Sequence, residues 1–394
     1  MARKTPMPFP EEESGAQRRK RHKRRARILL LRRLVTLLAV TVLVFVLWKN
    51  WDVLAPDKLL SRFQDSMTDD AGGWPVDVAG SGATRLMKAQ SYAAVLSDNY
   101  LTYYNDRGGE AKRYPCSYSA PLLRSAGKYV LLAEQDGRRA LLSTRSAQFV
   151  ELTLEEKLFS AAINEKGQFA LLTQGPQGYA VEVTVYNRKG EELYSRSRMS
   201  MATEVALSPD GKQVAVLSVQ AQSGVLSSMV EVFSLTSTEA EALYTYTAQG
   251  HMLYRLAYFG GQLAAIGEER AVLLNNSGQS AVFTAGSGRI LGYSAGNSYL
   301  ALALREYGET AGGHIVVLNT KGEEKTRAPF VGDFRHMSEE GNTFLVLTDS
   351  TAQTVTATGA GKQAAVAADG QRAVLSGNTA IVLGLNTLQA YTLT

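Results

Sequence analysis

Cysteine is all but missing from this chain. Among 394 residues only Cys116 carries a thiol, which rules out an intrachain disulfide and a cysteine-based metal cluster. A lone thiol of this kind is expected to pack as a small apolar side chain. Histidine is scarce as well: His22, His251, His314 and His336 stand far apart and show no metal-ligand spacing. No Ser/His/Asp set is signalled. Gly286-Ser287-Gly288 and Gly312-Gly313 are followed by neither Lys-Ser/Thr nor a helical pattern, so they are not phosphate loops. Asp136-Gly137, Asp210-Gly211 and Asp369-Gly370 lack the alternating oxygen ligands of a calcium loop and read as turns. These absences predict a non-enzyme with no catalytic residue, no metal and no cofactor.

Acidic residues are rare at one end, and that locates the charge. The net charge of +5 and the pI of about 9.1 invite a nucleic-acid reading. Residues 1–33, however, hold 12 Lys/Arg against only Glu11, Glu12 and Glu13. The remainder has 30 Lys/Arg against 34 Asp/Glu. The basic balance belongs to the tail, the bulk is mildly acidic, and a nucleic-acid partner is not expected.

Charge then vanishes altogether from Leu34 to Trp48. At about 1.5 Å per residue this run spans roughly 22 Å, somewhat short of a hydrocarbon core. Arg32 and Arg33 on one side and Lys49 on the other can snorkel to the headgroups, and Trp48 and Trp51 suit the outer interface. The cationic flank precedes the run, so the positive-inside rule predicts a single-pass signal-anchor with the N-terminus cytoplasmic and the bulk of the chain extracytoplasmic. The basic tail would then face anionic lipid. No small-x-small site follows the run, which argues against a cleaved leader. The expected organisation is a tail over 1–33, a transmembrane helix over 34–50, a stalk and linker over 51–73, and one large domain over 74–394.

That domain lacks any amphipathic helical pattern. Strand-like apolar runs recur instead, such as Tyr129–Ala133, Phe169–Thr173, Val214–Ser218, Tyr299–Ala303 and Phe344–Thr348. Each follows a turn signal and precedes a more alternating strand, of which Val181–Val185 is the cleanest. Polar hairpins come next: Asn105–Gly109, Asn187–Gly190, Asn275–Gly278 and Asn319–Gly322. The repeat is about 40 residues, the period of four-stranded propeller blades. Units fall at roughly 83–117, 118–156, 157–200, 201–250, 251–288, 289–330, 331–367 and 368–394. The last has room for three strands only, and Pro75–Val78 could supply the fourth and close the ring. The fold is predicted to be all-β, a single β-propeller of eight blades, with seven as the alternative count and two packed sandwiches as the structural rival.

The segment Leu207–Val216, with Ser208, Pro209, Asp210 and Gly211 at its turn, resembles the blade signature of bacterial TolB-like and WD40-like propellers. Weaker versions stand at Asn164–Ala170 and Ala368–Ala373. No repeat pairs Gly-His with Trp-Asp, which separates the chain from WD40 proteins proper. The basic lead, the anchor, Trp74–Val78 and Tyr92–Asp98 together resemble an uncharacterised family of single-pass bacterial propeller proteins, mostly from Gram-positive spore-formers. That resemblance implies architecture and location; the family has no activity to carry over.

The function expected from these readings is a non-catalytic binding or scaffold module, anchored in the bilayer, for an envelope protein or cell-wall polymer. Two alternatives stand beside it: an enzyme with an axial active site assembled from several blades, and a signal relay through the basic tail. Tyrosine is abundant, at 18. Exposed rings could form a carbohydrate or peptide platform, but packing between blades is the favoured use.

Overall fold

Among the described residues, apolar and β-branched runs between tight turns fold into 32 strands, arranged as eight four-stranded antiparallel sheets. The structure is a computed structural model that describes residue 41 and residues 72–78, 85–222, 224–237 and 241–394. The chain divides into two compact units, Met1–Met67 and Thr68–Thr394, and every strand belongs to the second. The expected tail and anchor, with Arg32, Arg33, Trp48, Lys49 and Trp51, lie outside the described residues. Among the described residues no helix is long and apolar enough to cross a membrane.

Seven sheets are formed by consecutive strands. We number them blades 1 to 7: residues 85–115, 121–153, 158–198, 202–249, 253–284, 288–330 and 334–365. Blade 8 combines Arg372–Ser376, Thr379–Leu383 and Thr387–Thr392 with the N-terminal strand Val76–Asp77. In that sheet Val76 faces Leu388, Asp77 faces Thr387, and the Val78 amide donates to the Asn386 carbonyl at 2.8 Å. First and last parts of the domain thus share one sheet, and eight is the blade count.

Two observations establish a ring. The innermost strand of each blade contacts that of the next, all the way round, including Arg372–Ser376 against Arg85–Ala89. The buried apolar residues also form eight clusters, one for each interface between neighbouring blades. This explains the continuous apolar runs. In blade 3, Phe169 and Leu171 enter the core shared with blade 2, while Ala170 and Leu172 enter the core shared with blade 4. Each face of an inner sheet belongs to a different core, so alternation of side chains does not become alternation of polarity. Outermost strands have one free face and do alternate, as Ser280–Thr284 shows.

Five hairpins share one local chemistry. The side-chain oxygens of Asn105, Asn164, Asn187, Asn275 and Asn319 each accept from the backbone amides two and four residues on. The residue between those donors is a glycine at positive φ, for example Gly190 at 81°. An asparagine amide is the right length to fold the loop around itself, and glycine accepts the backbone angle without a Cβ clash.

Candidate functional site: an axial channel and one loop face

The antiparallel order gives the ring two unlike faces. All innermost strands run in the same direction, so the first-to-second and third-to-fourth strand turns share one face. The second-to-third hairpins and the connections between blades share the other. We call these the turn face and the loop face. The chain enters at the turn face, where the Trp74 indole N–H donates to the Asp106 carbonyl at 3.2 Å.

Ser208, Pro209, Asp210 and Gly211 form the first turn of blade 4, on the turn face. The Ser208 hydroxyl donates to Asp210 at 2.6 Å and accepts from the amides of Lys212 and Gln213. Its carbonyl accepts from the Asn164 side chain of blade 3 at 3.2 Å. The motif therefore ties its own turn and grips the preceding blade. Similar bonds join Gly127 to Gln90, Gly260 to Asn297, and Asn297 to Gly341, making a belt of turns around that mouth.

The axis itself is charged. Arg124 of blade 2 lies 3.7 Å from Glu204 of blade 4, and Lys88 of blade 1 forms an ion pair with Glu340 of blade 7. Each pair joins innermost strands of blades that are not neighbours, so the contact must cross the space that the strands enclose. Arg255 of blade 5 also lies 3.7 Å from Glu204, and the Ser160 hydroxyl of blade 3 donates to it at 3.3 Å. The Ser294 hydroxyl of blade 6 donates to Glu339 of blade 7. Lys88 also donates to the Leu375 carbonyl, and the Gly377 amide donates to Glu340 at 2.7 Å.

Local backbone irregularity aims several of these groups. Five innermost strands carry a bulge near their start, and Ser160, Glu204, Arg255, Gly292 and His336 follow those bulges. An extra residue there re-aims the side chains that come after it.

The channel shifts the acidity of its lining. Glu204 is only 6% exposed, and burial pushes its carboxyl above the usual range despite Arg124 and Arg255. Glu339 is likewise raised by its enclosure, against the Ser294 hydrogen bond. Solvent nevertheless reaches Glu339, so it lines a wet, narrow space and not a dry core. Tyr293 is raised by enclosure and by the charge of Glu204. His336 is held down at about 4, first by enclosure and then by Arg372. Its Nδ1 sits 3.1 Å from the Ala373 carbonyl oxygen.

The residues singled out in the sequence fall in different places. His336 is in the channel, while His251 lies in the connection from blade 4 to blade 5 and His314 in the third strand of blade 6. Among the described residues no group of His, Cys, Asp or Glu could hold a metal ion. Cys116 is half-buried and packs against the core between blades 1 and 2, where burial pushes its thiol up to about 11. It lines a cleft of about 570 Å³ with Tyr100, Tyr118 and Arg139. A thiol so raised stays protonated near neutrality and is a poor nucleophile.

Sequence reasoning overlooked one motif and most of the channel. Gly292-Tyr293-Ser294-Ala295-Gly296 has Gly-x-Ser-x-Gly spacing. All but Gly296 lies within the extended strand Gly288–Ala295, and no helix follows, so it is not a strand-turn-helix nucleophile elbow. Glu204, Arg124, Arg255 and Lys88 carried a signal of their own: each is a charge inside a short, otherwise largely apolar strand that opens a blade.

The faces differ in charge and polarity. On the loop face, the connections carry Glu155, Glu156, Asp333 and Asp369, and the hairpins carry Asp98, Asp136, Glu268, Glu269, Glu309 and Asp349. Among the described loop residues only Arg138 and Lys157 oppose these ten carboxylates, and cations on the flanking strand ends answer some of them, with Arg289 pairing with Glu268 and Arg305 with Asp333. On the turn face eight cations meet six carboxylates among the described residues. Of the 15 exposed large apolar side chains among the described residues, 11 lie in the loop-face segments or within two residues of them.

These features define a closed eight-bladed β-propeller with a polar axial channel and one acidic, partly apolar loop face. Residues 68–391 match the model of a family of unknown function, DUF5711, and the chain belongs to that family. No curated protein matches the sequence. Similar solved structures include BamB from Moraxella catarrhalis, at 9% identity over 69% of this chain and 96% of that one, with a TM-score of 0.38. Hydrazine synthase of Kuenenia stuttgartiensis is similar at 12% identity over 68% and 92%, with a TM-score of 0.45. Hsv2 of Kluyvelomyces marxianus is similar at 11% identity over 68% and 89%, with a TM-score of 0.48.

Proposed function

We propose that this protein is a membrane-anchored, extracytoplasmic propeller that acts as a non-catalytic binding or scaffold module for an envelope protein or cell-wall polymer. The observation that carries the reading is the collection of 11 of 15 exposed large apolar side chains on one face. Apolar side chains collected on one face of a molecule are what an interaction surface presents. The charge-free run Leu34–Trp48 behind a cationic flank supports the anchor and its orientation. Protease treatment of intact cells is the test. Digestion of the ring with survival of the first 50 residues is expected; a fully protected ring in intact, accessible cells would reject the topology.

A second reading is favoured by Glu204 and Glu339. Buried Glu204 and solvent-reached Glu339, both with raised acidity constants and both acting on Tyr293, are the kind of set a proton-transfer site needs. A deletion strain complemented by the double variant Glu204→Gln/Glu339→Gln separates the readings. The binding module predicts full complementation, and an axial enzyme predicts none despite normal protein levels.

A further inference from the structure

We propose that the axial channel holds a small oxyanion, a phosphate-like or carboxylate group, between Arg124 of blade 2 and Arg255 of blade 5. The binding-module reading concerns the loop face, and this site stands or falls without it.

The axis is cationic in a chain whose bulk is not. Beyond residue 33 carboxylates outnumber Lys and Arg, yet the eight innermost strands hold seven Lys/Arg against three Glu. Two of the seven are answered at close range, Lys88 by Glu340 and Arg289 by Glu268 of blade 5.

Arg124 and Arg255 are answered poorly. They approach opposite oxygens of the one Glu204 carboxyl, each at 3.7 Å. That is too long for a hydrogen bond, and a guanidinium that clamped a carboxylate would close to about 2.7–2.9 Å. Among the described residues each guanidinium donates one hydrogen bond, to the carbonyl of the residue before it: Arg124 to Leu123 at 3.4 Å and Arg255 to Tyr254 at 3.0 Å. Most of the N–H groups of each fork are therefore left for something else. Solvent reaches both side chains, which are 33% and 47% exposed.

Glu204 is the protein's own occupant of this site, and a weak one. Its carboxyl is buried, it accepts from Ser160 at 3.3 Å, and enclosure raises it although Arg124 and Arg255 are the charges that bear on it. Tyr293 of blade 6 feels the same three charges and that of Glu339. Protonation of Glu204 frees two cations and adds an O–H donor beside them. An oxyanion with two or three oxygens then takes one guanidinium on each side and the Glu204 hydroxyl between. Contacts between blades that are not neighbours cross this space, so the occupant is a small group.

Isothermal titration calorimetry tests the site, with the full-length chain in neutral detergent at constant ionic strength and sulfate and propionate as probes. Saturable binding of at least one is expected. Tighter sulfate supports a phosphate-like ligand, and tighter propionate supports a carboxylate. Arg124→Gln and Arg255→Gln should each weaken the tighter probe by about tenfold or more. Glu204→Gln removes the internal competitor and should tighten it a few-fold near neutral pH. In the wild type, affinity should fall as pH rises through the raised Glu204 value, because deprotonation restores the competing charge. Glu204→Gln should abolish that slope. Lys189→Gln, in the third-to-fourth strand hairpin of blade 3, should change nothing. Unaltered melting shows that each variant ring is intact; where an arginine variant melts lower, Glu204→Gln decides alone. The proposal is overturned if neither anion binds saturably, or if intact arginine variants bind like wild type. It is also overturned if Glu204→Gln leaves both affinity and pH slope unchanged. None of these results bears on protease access to the ring, and a protected ring would leave anion binding in place.

Discussion

At the scale of single residues, burial decides more than charge pairing. The Tyr103 hydroxyl meets the Ser143 hydroxyl at 3.0 Å in the core between blades 1 and 2, where both side chains are fully buried. Tyr103→Phe strands the Ser143 oxygen and should cost about 1–2 kcal/mol in denaturant unfolding. Adding Ser143→Ala should recover part of that loss, because the orphan is removed with its partner. His336 supplies a pH dependence. Its folded state favours neutral imidazole, with the value held down at about 4. Unfolding therefore takes up a proton below the ordinary value of 6.5. The stability it contributes is complete above pH 6.5 and drains as pH falls towards 4, by at most about 3 kcal/mol. His336→Asn should flatten that slope in melts recorded across the interval. Glu204 works the other way. Its carboxyl is raised, so its contribution is greatest in acid and is lost as pH rises through the folded value. Glu204→Gln should accordingly be tolerated at neutral pH, and any gain should vanish in acid.

At the scale of elements, the hairpins were legible because their chemistry is local. An asparagine followed three residues later by glycine determines its own loop, and five such loops adopt one geometry. Asn187→Ala should cost about 1 kcal/mol by leaving two amides to water, and Asn187→Asp should cost much less, because the accepting oxygen remains. Thermal unfolding of the two variants checks the difference. The inner strands were less legible. The charges of Lys88, Arg124, Glu204 and Arg255 sit in four different blades, with nothing in their spacing to join them. Their bulges, too, are a matter of pairing register and not of local sequence.

At the scale of the whole molecule, closure is the controlling feature. The strand Val76–Asp77 completes blade 8, and Trp74, Val76 and Val78 join the core between blades 8 and 1. Without them that core loses part of its wall and a sheet edge is exposed. A chain beginning at residue 79 should melt at least about 5 °C lower than one beginning at residue 68 and should self-associate, as scanning calorimetry and light scattering would register. Equal melting temperatures would show that closure by this strand contributes little.

The blade count and the closing strand could be read from the chain because a four-stranded blade imposes a period. A last unit one strand short then requires its partner from the other end. Turn chemistry could be read for the same reason: it is settled within five residues. The channel and the loop face could not. A period-two strand tells which side chains share a face, but in a ring both faces of an inner sheet are buried and the distinction disappears. Only closure brings Arg124 to Glu204 and Lys88 to Glu340, and only the common strand direction collects ten carboxylates and most of the exposed large apolar side chains on one side. Local physics wrote the repeat; the geometry of the closed ring decided where its charges and apolar side chains meet.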